Sequence, residues 1–280
     1  MIAQLELGSA SRVTYELNAG PIAALQAGPV GAPIVLLVPG YTGSKEDFAA
    51  LLGPLSDAGF QVTAIDLPGQ YESPGPVDAA AYTSEALGRT VLELAAVLGP
   101  SVHLLGHSFG GLVSRAAVIA QPSAFADLVL LGSGPQALAG EGRARLEQLA
   151  PVYAEQGAAA VYAAIAAADS AVPGYTAPAP ELAHFLEHRF LSGAPAMLPG
   201  MAAALQTEPD RVVELAGTGV SCLVVHGVDD ASWPPPVQAE MARRLGADYV
   251  VIEGAAHSPA VENPAGTTEV LLQFWGTSPT

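Results

Sequence analysis

Apolar positions along this chain follow two alternating rhythms. Short, mostly apolar runs at Ile34 to Val38, Gln61 to Ile65, Val102 to Leu105, Asp127 to Leu131, Cys222 to Val225 and Asp248 to Ile252 suit strands buried within a sheet. Between them apolar residues recur every three or four positions, the spacing of one helix face. This holds for Phe48, Leu51, Leu52 and Leu55, and for the stretches Ala80 to Leu98, Pro236 to Leu245 and Ala265 to Trp275. Strands alternating with helices predict an α/β fold, a doubly wound, mostly parallel sheet with helices on both faces. Upstream, Ile2 to Gly8 and Arg12 to Asn18 alternate apolar and polar residues, and with Ile22 to Gln26 they predict short antiparallel edge strands.

The rhythm breaks once. From Pro135 to Val212 the strand signal disappears, Gly157 to Asp169 (GAAAVYAAIAAAD) favours helix, and further helical stretches fall between prolines at 173, 178, 180, 195 and 199. The predicted organisation is a core of residues 1–134 and 213–280 with a helical cap, residues 135–212, lying over the sheet.

Composition narrows the partners. At 280 residues, 50% of them hydrophobic, the chain can bury a full core. A formal charge of -17, with Lys45 and nine arginines as its only permanent cations, argues against nucleic acid or an anionic membrane as partner. No apolar run approaches the roughly 20 residues that span a bilayer, and the N-terminus lacks a basic start before an apolar stretch. A soluble, cytoplasmic protein is the expectation. The single cysteine, Cys222, lies inside an apolar run and reads as a buried thiol.

Candidate chemistry concentrates between Ser101 and Ala120, SVHLLGHSFGGLVSRAAVIA, where a strand pattern meets a helix pattern at Gly106-His107-Ser108-Phe109-Gly110. A chain that reverses this sharply strains Ser108, and Gly106 and Gly110 must lack side chains for the backbones to pass. The helix that follows aims unpaired amides at the serine hydroxyl. A nucleophile beside anion-stabilising donors is what acyl transfer needs. Two further polar stretches follow strands: His226 to Pro234, with Asp229 and Asp230, and Gly254 to Pro259, with His257.

Serine, acid and histidine in this chain order, each where a parallel strand ends, resemble the α/β-hydrolase superfamily, in particular serine esterases and lipases with a helical cap. The matching segments are GHSFGG, the G-x-x-D-x-x-x-P of Gly227, Asp230 and Pro234, and GAAHSPAVENP. The resemblance implies Ser108 as nucleophile, His257 as general base and then acid, and Asp230, in preference to its neighbour Asp229, as the group orienting the histidine. It also implies an oxyanion hole made by the backbone amides of Tyr41 and Phe109, although Pro39 stands where the family has histidine. The Tyr41 hydroxyl could assist a substrate oxygen, or its ring could line the pocket.

A second departure lies at Asp66 to Ser73. The family pattern D-x-x-G-x-G-x-S meets Tyr71 at its second glycine, and the segment reads as a structural loop near the site.

The expected activity is hydrolysis of a small-molecule carboxylic ester or lactone, mainly apolar on the acyl side, through an acyl-enzyme and without metal or cofactor. Thioester, carbon–carbon and perhydrolysis chemistry use the same residues, and a slow or non-catalytic ligand receptor on this fold is the alternative of another class. Serine at 108 disfavours dehalogenase and epoxide hydrolase chemistry, which use aspartate there. His184-Phe185-Leu186-Glu187-His188 matches H-x-x-E-H, a metal pattern, but falls in the helical stretch and reads as chance helical spacing. His103 and His226 read as structural.

Overall fold

The structure, a computed structural model, describes residues 3–172 and 174–276. Its strands are β1 (Ser11–Leu17), β2 (Gly20–Ala27), β3 (Ile34–Val38), β4 (Gln61–Ile65), β5 (Val102–His107), β6 (Phe125–Leu131), β7 (Ser221–Gly227) and β8 (Asp248–Ile252). Its helices are α1 (Ala49–Asp57), α2 (Ser84–Leu98), α3 (Phe109–Ala120), α4 (Gly140–Ser170), α5 (Pro180–Leu191), α6 (Met197–Thr207), α7 (Val212–Ala216), α8 (Pro235–Leu245), α9 (Pro259–Glu262) and α10 (Pro264–Phe274).

All eight strands form one sheet, in the order β1-β2-β4-β3-β5-β6-β7-β8. β2 runs antiparallel to both neighbours, and the pairs from β4 to β8 are parallel. Alternate residues of each strand enter opposite layers. Leu36, Val38 and Leu104 pack with Leu87, Val91 and Leu94 of α2 and Leu112 and Val113 of α3. Val35, Leu37 and Leu105 pack with Leu51, Leu52 and Leu55 of α1 and Leu271 and Leu272 of α10. Because β4 lies on one side of β3 and β5 on the other, the connections leaving the carboxyl ends of β3 and β5 diverge, which opens a crevice at that edge.

Helices α4, α5 and α6 occupy the chain between β6 and β7. Gly157, at φ 77°, breaks α4 into two rods. Arg115, buried on α3, ties both ends of this excursion together. Its guanidinium donates to the carbonyls of Gly134 and Pro135 at the start and to Glu208 Oε1, 2.6 Å away, at the end. Ser84 completes the buried cluster by donating to Glu208 Oε2 at 2.6 Å. No helix among the described residues is long and apolar enough to cross a membrane.

Three sequence expectations change. Ile2 to Gly8 does not form a strand: Ala3–Leu5 is a 3₁₀ turn, and Ile2 lies outside the described residues, as does Pro173. Ile22 to Gln26 belongs to β2, which is interior to the sheet rather than at its edge. The helix expected from Ala80 is split. Ala79–Ala81 is a 3₁₀ turn, and α2 begins only after Thr83, whose hydroxyl accepts the Ala86 amide and caps the helix.

Candidate active site

Ser108 stands between β5 and α3 at φ 53°, ψ -119°, a region that side chains rarely enter. The turn is tight because the neighbouring glycines allow it. A β-carbon on Gly106 would strike the Gly110 carbonyl, and one on Gly110 would strike the carbonyls of Val38 and Pro39. The Ser108 amide donates to the Leu131 carbonyl at 2.9 Å, which anchors the corner to β6.

His257, from the loop after β8, places Nε2 3.0 Å from Ser108 Oγ. Asp230, from the loop after β7, lies 3.0 Å from His257 Nδ1 through Oδ1. Because the carboxylate can only accept, Nδ1–H donates to it, and Nε2 is left to accept the serine hydroxyl. Asp230 is buried and further held by the Ser232 amide at 2.9 Å and by Gln238 Nε2 at 2.9 Å. Asp229 is exposed, and its amide binds the Ala255 carbonyl. Of the two neighbouring acids, Asp230 is the one that reaches the histidine.

The loop after β3 lies against the same corner: a β-carbon on Gly40 would come within 3.1 Å of Ser108 Cβ. The Phe109 N–H opens α3 and, like the Tyr41 N–H, donates to no protein group among the described residues. Two donors in the first turn and the adjacent loop are thus free for a ligand oxygen. The Tyr41 hydroxyl is not: it donates to the Leu198 carbonyl at 2.9 Å, which overturns its suggested role beside a substrate oxygen and leaves the ring as pocket wall.

Two residues with no clear sequence signal shape this site. Gln70, from the Asp66–Ser73 segment, is buried and donates to the carbonyls of Gly40 at 2.6 Å and Tyr41 at 3.2 Å, while its Oε1 accepts the Leu67 amide. It fixes the peptide that carries the Tyr41 donor, so the segment does more for the site than the pattern predicts. Tyr71 occupies the second glycine position at φ 38°. Its ring sits 4.6 Å from the buried Lys45 ammonium and packs edge-on against Phe185 of α5, contacts that offset a strained backbone.

His107 is the other. Its Nε2–H donates to the His257 carbonyl at 2.8 Å, tying the serine corner to the histidine loop. Burial first, and the neighbouring His257 second, hold its pKa down to about 4. Between about pH 6.5, where an unfolded histidine protonates, and about 4, the unfolded chain binds a proton that the folded chain refuses. The contribution of His107 to stability is therefore intact above pH 6.5 and lost as pH falls toward 4. Buried Asp66, raised to about 6 mainly by burial, acts with the opposite sign in that window. Comparison with a variant isolates the histidine. The wild-type melting temperature should fall between pH 7 and 4.5 by a few degrees more than that of His107→Gln, and equal slopes would contradict this assignment.

The remaining histidines have other partners. His103 pairs with Asp127 at 2.6 Å at the opposite edge of the sheet, and His226 is buried against the Tyr249 hydroxyl. His184 and His188 stack on each other along α5, with no third metal-binding side chain grouped with them among the described residues. Burial pushes the Cys222 thiol up to about 12.

The profile of the alpha/beta hydrolase family matches residues 35–270. The chain belongs to the alpha/beta hydrolase family. This alpha/beta hydrolase is 26% identical over 240 residues to the pimeloyl-acyl-carrier-protein methyl ester esterase of Aeromonas salmonicida, across 78% of this chain and 86% of that protein. It is 37% identical over 107 residues to RutD of Variovorax paradoxus, whose name assigns it provisionally to carbamate hydrolysis. That match spans 38% of this chain and 40% of RutD. Among solved structures, a thermophilic esterase from Thermogutta terrifontis superimposes with a TM-score of 0.77 at 25% identity, covering 95% of this chain and 98% of that one.

Proposed function

We propose that this alpha/beta hydrolase cleaves carboxylic esters with a mainly apolar acyl group, through an acyl-enzyme on Ser108. The observation that carries the reading is the chain of contacts from Ser108 Oγ to His257 Nε2 and from Nδ1 to Asp230, 3.0 Å each, on a strained strand-to-helix corner.

In the first half-reaction Ser108 Oγ attacks the ester carbonyl carbon and its proton passes to His257 Nε2. The carbonyl oxygen, now an anion, accepts hydrogen bonds from the Tyr41 and Phe109 amides. The bond from carbon to the alcohol oxygen then breaks, and His257 returns the proton to the departing alcohol. Water repeats the sequence from the other side: His257 takes its proton, its oxygen joins the acyl carbon, and Ser108 leaves with the proton to release the acid. Throughout, Asp230 holds the imidazole in one tautomer and stabilises its cation.

Esters are favoured over carbamates by coverage, since the methyl ester esterase aligns over 86% of its length and RutD over 40%. The test is turnover of a panel containing p-nitrophenyl esters, an acyl thioester and an aryl carbamate. Preferred hydrolysis of the esters supports the proposal. No hydrolysis of any ester, or preference for the carbamate, would overturn it.

A further inference from the structure

Beside the crevice that holds Ser108 lies a second cavity of about 320 Å³ that contains neither Ser108 nor His257 in its walls. Its lining comes mostly from the excursion between β6 and β7, including Ala154, Val161, Phe190, Leu198 and Ala202, and is largely apolar. Five residues, Tyr41, Thr42, Leu146, Leu149 and Ile165, line both spaces, so the two adjoin along these residues. The bond from the Tyr41 hydroxyl to the Leu198 carbonyl holds that ring as part of the shared wall.

The chemistry proposed for Ser108 assigns the two sides of an ester. The alcohol oxygen must receive its proton from His257 Nε2, so the alcohol lies on the His257 side, where Ser258, Val261 and Glu262 border the open crevice. The acyl substituent leaves the carbonyl carbon in the other direction. The carbonyl oxygen faces the Tyr41 amide, and Tyr41 and Thr42 are among the five residues along which the crevice meets the second cavity. At about 30 Å³ for each water-sized group, the cavity accommodates on the order of ten such groups.

Resting on the esterase reading above, we propose that this second cavity receives the tail of the acyl chain, which makes the preferred substrates esters of medium-length acids, about six to ten carbons long. The short polar or small alcohol faces solvent at the other end. An apolar wall removes each methylene of the chain from water, so specificity grows with length until the cavity is full.

The test is a series of p-nitrophenyl esters from acetate to dodecanoate, with a parallel series of alkyl acetates that lengthens the alcohol instead. For wild type, kcat/KM is expected to climb about threefold per methylene and to peak near octanoate, while lengthening the alcohol has little effect. Ala202→Phe, and separately Ala203→Phe at a more exposed position, place a ring in the cavity. Each should lower the octanoate-to-butanoate ratio of kcat/KM at least tenfold. Hydrolysis that peaks at acetate, that rises with the alcohol instead of the acid, or whose chain-length ratio is unmoved in both variants would overturn the acyl-tail assignment and leave the esterase reading standing. Loss of all ester hydrolysis by the wild type would instead remove the esterase reading itself.

Discussion

Replacing Ser108 with alanine is expected to lower kcat on p-nitrophenyl butanoate by about a millionfold, the size of loss that removal of the nucleophile causes in serine hydrolases whose residues act as a unit. The substitution deletes one oxygen, whose hydrogen-bond partner among the described residues is His257 Nε2 at 3.0 Å. Alanine meets the same backbone restriction as serine at φ 53°, and the Leu131 carbonyl still accepts the residue-108 amide. The melting temperature should therefore change little. A fall in activity accompanied by unfolding would speak only to the corner, so the measurement pairs initial rates with a thermal melt. Retained activity in a folded Ser108→Ala protein contradicts the mechanism outright.

The second large effect is expected at the acid. Asp230→Asn should cost about 10³- to 10⁴-fold in kcat, with KM changed far less. The carboxylate accepts from three donors at once: His257 Nδ1, the Ser232 amide and Gln238 Nε2. An amide at the same position brings a donor of its own and no charge. If that donor faces His257, the imidazole carries its proton on Nε2 and cannot take one from serine. If it faces away, the imidazolium formed during attack still loses its counter-charge. Asp229→Asn is the matched control, because Asp229 is exposed and its backbone amide, which the substitution keeps, is what binds the Ala255 carbonyl. A loss below tenfold for Asp230→Asn, or a larger loss at Asp229, would contradict the role given to Asp230.

The parts of this molecule that could be read from the chain are those that local physics dictates. Buried parallel strands leave uninterrupted apolar runs, as in β3, and the sharp corner at Ser108 demands glycine on both sides, so both leave marks in the sequence. The choice of Asp230 over Asp229 has a different source: it follows from the resemblance to the α/β-hydrolase pattern, which places the acid three residues after Gly227. Features that depend on distant segments meeting left no such marks. Gln70 holds the Gly40 and Tyr41 carbonyls from 30 and 29 positions away, and nothing in its neighbours predicts a buried amide. The His107 link to the His257 carbonyl spans 150 positions, and the Tyr41 hydroxyl finds Leu198 across 157. Polar contacts of this kind carry no periodicity, because each is a single donor meeting a single acceptor once the layers have packed. The N-terminal alternation at Ile2 to Gly8 misled for the reverse reason: a strand pattern without a neighbouring strand to pair with does not become one.

The acyl-tail cavity belongs to the same class of feature. Its wall joins the loop after β3 to helices more than a hundred positions later, so its volume exists only in the folded chain.

The central claim, that Ser108 is an activated nucleophile, is tested most directly by intact-mass spectrometry after treatment with a fluorophosphonate. The account predicts one adduct per chain, mapped to the peptide containing Ser108, absent from Ser108→Ala and formed much more slowly in His257→Ala. No adduct on the wild-type protein, or an adduct on another serine such as Ser133 or Ser258, would contradict it.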